Sequence, residues 1–107
     1  MANVLLSPSA EQDLREIRAY IAQESGDEGT AARQISRILA NLRLLREQPQ
    51  MGSPLTAIIG MVTDYRYLVC GNYYAFYKHS KDTVYIIRIL HCARDFMRIL
   101  FGITNEE

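Results

Sequence analysis

Side chains that could act on a phosphate group or move a proton are concentrated in residues 88–95, close to the end of the sequence. Arg88, His91, Arg94 and Asp95 all fall within this segment. A histidine can serve as a general acid or base near neutral pH, and an arginine can stabilise a phosphate during its transfer. Spacing alone nevertheless favours a structural interpretation, in which His91 caps a helix and Arg94 pairs with Asp95 or with a residue of the sheet.

Arg66 is a further candidate because it lies within a run typical of a strand, where a charged side chain needs either solvent or a partner. It could line a concave face of the sheet together with Arg88, or it could lie on the solvent side of an edge strand. The tyrosines of residues 65–85 could stack on nucleic acid bases. Such tyrosines more often pack a twisted sheet with their hydroxyl groups at its rim, and we favour that interpretation.

Motifs of the well-known enzyme classes are absent from the sequence. It contains no G-x-S-x-G, H-E-x-x-H or P-loop pattern and no Gly-rich dinucleotide fingerprint. Its two histidines, His79 and His91, show no carboxylate–histidine grouping of the kind that binds a metal. Cys92 is the immediate neighbour of His91, which is a poor geometry for activating a thiol nucleophile. The residues therefore predict no metal, no cofactor and no nucleophilic catalysis.

The charge balance argues against a protein whose main task is to bind nucleic acid backbones. Lys plus Arg and Asp plus Glu each number 12, so the formal net charge is zero. Backbone-binding proteins usually carry an excess of basic residues that displaces counterions. Nearly all the basic residues are arginines, whose planar guanidinium suits paired contacts with an acidic partner. For the arginines of residues 15–46, a solvated helix face is the simpler interpretation.

The length and the N-terminal residues indicate how many domains the chain has and whether it carries a targeting signal. Its 107 residues fit one domain, which we expect to span residues 1–107. The N-terminus lacks the basic start of a signal peptide and reaches Pro8 early. No apolar run approaches the roughly 18 residues that a membrane helix needs. We therefore expect a cytoplasmic protein without a membrane partner, whose cysteines are reduced.

Apolar residues at helical spacing predict two helices in the first half of the chain, at residues 8–24 and 28–47. Ser7-Pro8 is a typical helix start, and Asp27 is a candidate N-cap for the second helix. Two such helices joined by a short loop form an antiparallel αα-hairpin. The apolar phases of the elements predict a core that includes Leu14, Ile17, Ile21, Ile35, Leu39, Leu42, Ile87 and Ile89.

The second half of the chain is rich in aromatic and β-branched residues, which favour strands. Residues 3–6 predict a first short strand, and residues 49–63 a connector with a short strand at 57–59. A sheet built mainly from residues 64–91 follows, with turns at Gly71-Asn72 and at residues 80–82 and a last strand buried on both faces. A closing helix over residues 93–102 completes the order β-α-α-β-β-β-α. This order predicts an α+β fold, with the helical hairpin packed on a mainly antiparallel sheet.

This order of elements, together with several short motifs, resembles the RelE/ParE superfamily of toxins, also called plasmid stabilisation proteins. The resemblance covers nearly all of the chain, and its specificity lies in the order and spacing of the motifs rather than in any one of them. The motifs are Leu6–Leu14 continuing to Tyr20-Ile21, Tyr65–Val69 with Gly71–Tyr73 and Phe76-Tyr77, and Val84–Ile86 with Ile89–His91 before Arg94-Asp95.

The resemblance implies the toxin of a type II toxin–antitoxin system, with a cognate antitoxin that wraps and neutralises it in a hetero-oligomer. It also implies one of two targets. RelE-like members cut mRNA on the ribosome, using Lys, Arg, His and Tyr side chains around the sheet and the last helix. ParE-like members poison DNA gyrase and need no nuclease site. If this chain is a nuclease, the residues it could use are Arg66, Arg88, His91 and Arg94.

Departures from the nuclease pattern favour the ParE-like alternative. Tyr74 stands where an arginine is typical, the expected lysines are missing, and Phe96 replaces an aromatic hydroxyl. Residues 95–100 resemble the ParE end more closely. We therefore expect a non-enzymatic inhibitor of DNA gyrase that binds its target through Phe96, Met97 and Arg98. A ribosome-dependent mRNA endonuclease is the alternative, and an inactive relative that only binds its partner is a third possibility.

Overall fold

The computed structural model describes residues 2–102, in which two long helices follow the first strand and most of the sheet comes from the second half of the chain. The α+β class and the helical hairpin on a mainly antiparallel sheet are as predicted, with two short additional elements, β2 and α3. The elements are β1 (Asn3–Leu6), α1 (Pro8–Ser25), α2 (Glu28–Leu44), β2 (Ser53–Pro54), α3 (Thr56–Ile59), β3 (Arg66–Cys70), β4 (Tyr73–Ser80), β5 (Thr83–His91) and α4 (Phe96–Phe101).

Both long helices begin at the capping residues that the sequence indicated. The Ser7 hydroxyl accepts a hydrogen bond from the Ala10 N–H, and Pro8 occupies the first turn of α1. Asp27 caps α2 by accepting from the Gly29 N–H. The second helix ends at Leu44 rather than at residue 47. Residues 45–47 instead form tight turns whose N–H groups bond three residues back, because the proline at position 49 cannot continue a helix.

The strands form one sheet in the order β1-β5-β4-β3-β2. β1 runs parallel to β5, and the other neighbouring strands are antiparallel. The predicted turn at Gly71-Asn72 joins β3 to β4, and Gly71 has a φ of 64°, which glycine adopts without strain. The next turn consists of residues 81–82, since Ser80 pairs with Thr83. β1 and β2 are the two edges of this sheet.

The helical hairpin covers one face of the sheet and forms the main core with it. Helix residues such as Ile17, Ile38 and Leu42 pack there against Val84 and Ile86 of β5. The predicted core residues that are buried are Ile17, Leu42 and Ile89. Those that are half-buried and pack against this core are Leu14, Ile21, Ile35 and Leu39.

Helices α3 and α4 lie against part of the opposite face. Leu55, Phe76 and Leu90 form a second buried cluster, and side chains of α4 pack against it. Because the consecutive residues Ile89 and Leu90 are both buried, this end of β5 is covered on both faces, as predicted. The other end of the strand differs, since Tyr85 is exposed.

A β-bulge interrupts the pairing of β4 with β5. Phe76 pairs with Arg88 and Tyr77 pairs with Ile86, which leaves Ile87 as the extra residue on β5. Ile87 is consequently half-buried rather than fully inside the core. The bulge also shifts the alternation of side chains, so that Ile89 lies in the main core on the same side as Ile86.

Residues 57–59 are helical, so the short strand predicted there is wrong. They belong to α3, a single turn closed by a hydrogen bond from the Gly60 N–H to the Thr56 carbonyl. Gly60 has a φ of 73°, the left-handed conformation that ends many helices. The Thr56 hydroxyl also donates to the Thr63 carbonyl and accepts from the Thr63 N–H. These local hydrogen bonds outweigh the strand propensity of the two isoleucines at positions 58 and 59.

Candidate functional site

A buried carboxylate ties the bulged strand β5 to α1. Asp13 accepts two hydrogen bonds from the Arg88 guanidinium, from Nε to Oδ2 and from Nη2 to Oδ1, both at 2.8 Å. Asp13 Oδ2 also accepts a hydrogen bond from the Ile89 N–H at 2.9 Å. The Asp13 side chain is 8% exposed and that of Arg88 is 26% exposed, so water screens this bidentate pair only weakly.

This ion pair limits what Arg88 can do. Its hydrogen bond to Asp13 raises the pKa of Arg88 above the ordinary value, which keeps the guanidinium charged. A phosphate could reach it only by competing with a carboxylate that is already bound in the bidentate geometry and is itself buried. The geometry therefore assigns Arg88 to holding α1 on β5.

Asp13 was not among the residues that the sequence singled out, although its position carried a signal. Ala10, Asp13 and Ile17 have the spacing of one helix face, and all three are buried. A carboxylate on the buried face of an amphipathic helix requires a compensating partner. Pairing this position with an arginine of the last strand could have identified the contact before the structure was known.

A cleft of about 410 Å³ opens between α1, the end of β5 and residues 93–94. Two of the predicted site residues, His91 and Arg94, line it together with Glu16, Tyr20 and Tyr73. Much of the remaining lining is apolar and comes from α1 and β5. Asp13 also lines the cleft, which thus brings one imidazole, one guanidinium, two carboxylates and two phenols into the same neighbourhood.

Local contacts determine the state of His91 at the rim of this cleft. Its Nδ1 accepts a hydrogen bond from the Ala93 N–H at 3.1 Å, so the neutral ring carries its proton on Nε2. A ring in this state has no free lone pair and must give up the Ala93 contact before it can act as a base. The Tyr73 ring lies edge-on to His91 with the centroids 5.4 Å apart. Burial, helped by the neighbouring Tyr20, raises the pKa of Tyr73 and keeps its phenol neutral.

The structural roles at this junction differ from the expected ones. Asp95, rather than His91, caps the closing helix α4, because its Oδ1 accepts a hydrogen bond from the Arg98 N–H at 3.3 Å. The side chain of Arg94 is exposed, and within residues 2–102 no ion pair joins it to Asp95. Arg94 is therefore the arginine of the cleft whose charge is available to an anionic ligand.

Arg66 lies apart from this cleft and holds the connector that precedes β2. Its Nη2 donates to the carbonyls of Gln50 and Gly52 at 3.0 and 2.6 Å. Tyr77 supports the same segment: its hydroxyl donates to the Pro49 carbonyl at 2.8 Å and accepts from the Gly52 N–H at 3.0 Å. Arg66 thus has a structural role, and it does not share a site with His91 and Arg94.

The three residues predicted to contact a target lie at the start of α4 and differ in exposure. Phe96 packs on Phe76 and Tyr74, with ring centroids 5.2 and 6.4 Å apart, and is half-buried. Met97 is also half-buried, whereas Arg98 is exposed. Phe96 therefore anchors the helix on the sheet. Arg98 is the residue of the three that is most accessible to a partner.

In the range 2–102, no three His, Cys, Asp or Glu side chains are grouped so that they could hold a metal ion. None of the helices in this range is long and apolar enough to cross a membrane.

Comparison with known proteins places this sequence and fold among toxins. Residues 4–96 match the family described as the ParE toxin of the type II toxin–antitoxin system parDE. The fold is similar to a chain of a chromosomal ParDE system from P. aeruginosa, with a TM-score of 0.72, 18% identity and coverage of 85% of this chain and 96% of that chain. A crystal structure of a YafQ mutant from E. coli gives a TM-score of 0.49 and 17% identity, covering 95% and 100% of the two chains. No curated protein matches.

Proposed function

We propose that this chain, which belongs to the ParE toxin family of type II toxin–antitoxin systems, inhibits DNA gyrase and is neutralised by a cognate antitoxin. It acts in the cytoplasm by binding its target, without catalysing a reaction. The antitoxin holds it in a hetero-oligomer and thereby keeps it from the target.

The observation that carries this proposal is that the side chains a nuclease would use do not converge on one site. Cleavage of RNA through its 2′-hydroxyl needs one group to remove a proton and another to protonate the leaving oxygen. Arg88 is bound to Asp13, and Arg66 is bound to backbone carbonyls of the connector. His91 and Arg94 do share a cleft, but Nδ1 of His91 already accepts the Ala93 N–H.

The first turn of α4 supplies the surface through which the chain binds gyrase. Phe96 anchors the helix on Phe76, and Asp95 caps its first turn. Arg98 is left exposed, and its guanidinium forms no ion pair or hydrogen bond within residues 2–102. A preorganised helix that presents an unpaired guanidinium suits a contact with a carboxylate of a protein target.

A ribosome-dependent mRNA endonuclease remains the second candidate, and one observation favours it. His91 and Arg94 line the same cleft as Tyr20 and Tyr73, so an acid–base group, a cation and aromatic rings lie close together. A phosphate at Arg94 and a base against a tyrosine ring would suit RNA. A third candidate, an inactive relative that only binds its antitoxin, predicts that expression of the chain harms nothing.

Growth assays with single variants separate these functions. The chain is expressed without antitoxin as His91→Ala, as Arg98→Ala and, as a matched control for loss of an exposed arginine, as Arg37→Ala. We expect His91→Ala and Arg37→Ala to remain toxic and Arg98→Ala to lose most of its toxicity. Binding of each variant to the antitoxin verifies that it is folded.

A nuclease gives the opposite pattern in the same assay. Loss of its acid–base group should lower the rate by a factor on the order of 10²–10⁴, so His91→Ala would abolish toxicity while still binding the antitoxin. That result, accompanied by a loss of mRNA cleavage, would replace the gyrase proposal with the second candidate. If expression of the wild-type chain does not impair growth, this result would instead support the third candidate, the inactive relative.

A further inference from the structure

The polar side chains that line the cleft between α1 and the end of β5 offer donors on one wall and acceptors on the other. His91 at the end of β5 and Arg94 just after it carry N–H groups, whereas Glu16 on α1 carries a carboxylate. Apolar side chains such as Ile17 and Ile89 complete the lining. A volume of about 410 Å³ lies in the range of sites that bind small organic molecules.

The donors on the β5 side of the cleft are not used by the fold. The Arg94 side chain is exposed and makes no ion pair or hydrogen bond within residues 2–102. Because Nδ1 of neutral His91 accepts the Ala93 N–H, the ring proton is on Nε2, and this N–H has no acceptor in the same range. A guanidinium with a further N–H donor nearby suits a phosphate group, whose oxygens accept charge-assisted hydrogen bonds.

The charge of the cleft suits one phosphate group rather than a strand of nucleic acid. Among residues 2–102, Arg94 is the one lysine or arginine that lines it. The carboxylate of Asp13 is already compensated by Arg88. Proteins that bind a strand place a series of cations along its backbone, and this chain has no net positive charge. The cleft therefore fits a ligand with a single phosphate.

Tyr20 supplies a surface for a planar ring in the same cleft. Its side chain is 60% exposed, and no ring or cation packs on it within the described residues. Nucleobases stack on such exposed aromatic faces. Tyr73 differs, because it is buried and lies edge-on to His91, so it belongs to the wall of the cleft.

Glu16 distinguishes between the purine bases. Its Oε2 accepts a long hydrogen bond of 3.4 Å from Gln12, and its Oε1 accepts none within residues 2–102. A carboxylate can only accept, so it pairs best with two adjacent N–H donors. Guanine presents such a pair at N1 and the 2-amino group. Adenine presents its amino group beside an unprotonated N1, whose lone pair the carboxylate would repel.

We propose that this cleft binds guanosine monophosphate (GMP), with the phosphate at Arg94 and His91 Nε2, the base stacked on Tyr20, and the N–H groups of the base on Glu16. Such binding goes beyond the proposed function and does not depend on it. The cleft includes none of the residues assigned to the gyrase surface, which are Phe96, Met97 and Arg98.

Titration of the ¹⁵N-labelled chain with nucleotides, followed by NMR, tests the class of ligand. GMP should bind saturably and shift the amide signals of cleft residues such as Ile17, Tyr20 and Ala93. AMP should bind at least about tenfold more weakly, because its base leaves the carboxylate facing a lone pair. The proposal fails if GMP shows no saturable binding or if the two nucleotides bind equally well. A guanine-containing RNA tetramer that binds more than about tenfold tighter than GMP would also overturn it, because the ligand would then be a strand.

Two arginine variants test the position of the phosphate. Arg94→Ala should lower the affinity for GMP at least about tenfold, since it removes a charge-assisted hydrogen bond, and should leave the affinity for guanosine unchanged. Arg37→Ala removes an exposed arginine outside the cleft and should change the affinity for GMP by less than about twofold. An equal loss of GMP and guanosine binding in Arg94→Ala would refute the assigned contact.

Glu16→Gln tests the contact with the base. The amide has one donor and one acceptor, which match the amino group and N1 of adenine. The ratio of the affinities for GMP and AMP should therefore fall at least about tenfold. Glu24→Gln, an exposed change on α1 outside the cleft, should leave this ratio as it is in the wild-type chain. A ratio that Glu16→Gln does not alter would show that Glu16 does not select the base.

Nucleotide binding and gyrase inhibition are measured on the same purified chain and can fail separately. A chain that binds GMP but leaves supercoiling unaffected would contradict the gyrase proposal while the nucleotide site stands. A chain that inhibits supercoiling but does not bind GMP would contradict the nucleotide site alone.

Discussion

The side chain of Asp13 makes more hydrogen bonds than that of any other polar residue in the contact between α1 and β5. Within residues 2–102, Ser7 and Asp13 are the buried polar residues, and both bind β5. The Ser7 hydroxyl donates to the Ile87 carbonyl at 2.7 Å, and Asp13 binds Arg88 and the Ile89 N–H. Beyond the end of β1, α1 thus provides the hydrogen-bond partner for the edge of β5. The carboxylate satisfies the Ile89 N–H at the place where a neighbouring strand no longer can.

Replacing Asp13 with Asn should destabilise the fold markedly. The amide keeps the size of the side chain but leaves the partly buried Arg88 without a counter-charge. We expect the free energy of unfolding to fall by about 2–4 kcal/mol, measured by urea denaturation. Glu16→Gln, an exposed change on the same helix, should stay within about 0.5 kcal/mol of wild type. If both variants unfold at the wild-type urea concentration, the ion pair does not stabilise the fold as argued.

The two cysteines should differ strongly in reactivity. Burial raises the pKa of the Cys70 thiol to about 11, so almost none of it is thiolate at pH 8. Cys92 is exposed at the end of β5. A thiol reagent should therefore modify one cysteine quickly in the native chain and both in urea, and Cys92→Ser should remove the fast phase. A fast phase that survives in Cys92→Ser would show that Cys70 is accessible.

Among the elements, capping and turn rules predicted the long helices and the hairpins, whereas short elements that depend on hydrogen bonds to residues outside the element were missed. Ser7 and Asp27 cap their helices through bonds within three residues, and Gly71 allows a tight turn. These features depend on neighbours that the sequence displays. The helical turn at residues 57–59 depends on the Thr56–Thr63 bonds, which the apolar run does not reveal.

The connector before β2 is likewise held by residues far from it in sequence. Gly52 approaches the sheet so closely that an added Cβ would lie 2.5 Å from the Tyr67 carbonyl and 2.7 Å from the Tyr77 hydroxyl. Arg66 binds the carbonyl of Gly52 itself, and Tyr77 binds that of Pro49. No local pattern around Arg66 distinguishes this role from that of a ligand-binding arginine, which explains why sequence reasoning placed it in a possible nuclease site.

Tyr77→Phe tests whether the connector depends on these bonds. The substitution removes the hydroxyl that binds the Pro49 carbonyl and the Gly52 N–H, and the ring is fully buried. We expect the free energy of unfolding to fall by about 1–3 kcal/mol, measured by thermal or urea denaturation. Tyr85→Phe serves as the control because Tyr85 is exposed, and it should have little effect. Equal stability of the two variants would contradict the role assigned to the hydroxyl.

In the whole molecule, the surface proposed to bind gyrase and the helical hairpin lie on different faces of the sheet. α4 lies against the second cluster around Phe76, whereas α1 and α2 form the main core on the opposite face. An antitoxin segment bound only to the helical hairpin would therefore leave Arg98 uncovered. We expect neutralisation to require a part of the antitoxin that reaches α4 or that blocks access to it by its bulk.

A paired assay with purified components distinguishes inhibition of gyrase by binding alone from cleavage of mRNA. The chain is added to gyrase with plasmid DNA and ATP, and in parallel to ribosomes translating a defined mRNA. We predict that it inhibits supercoiling and that added antitoxin reverses the inhibition. We also predict that Arg98→Ala is defective, that His91→Ala is active, and that the mRNA stays intact. Unaffected supercoiling together with cleavage of the ribosome-bound mRNA, lost in His91→Ala, would show that the chain is a nuclease and not an inhibitor of gyrase.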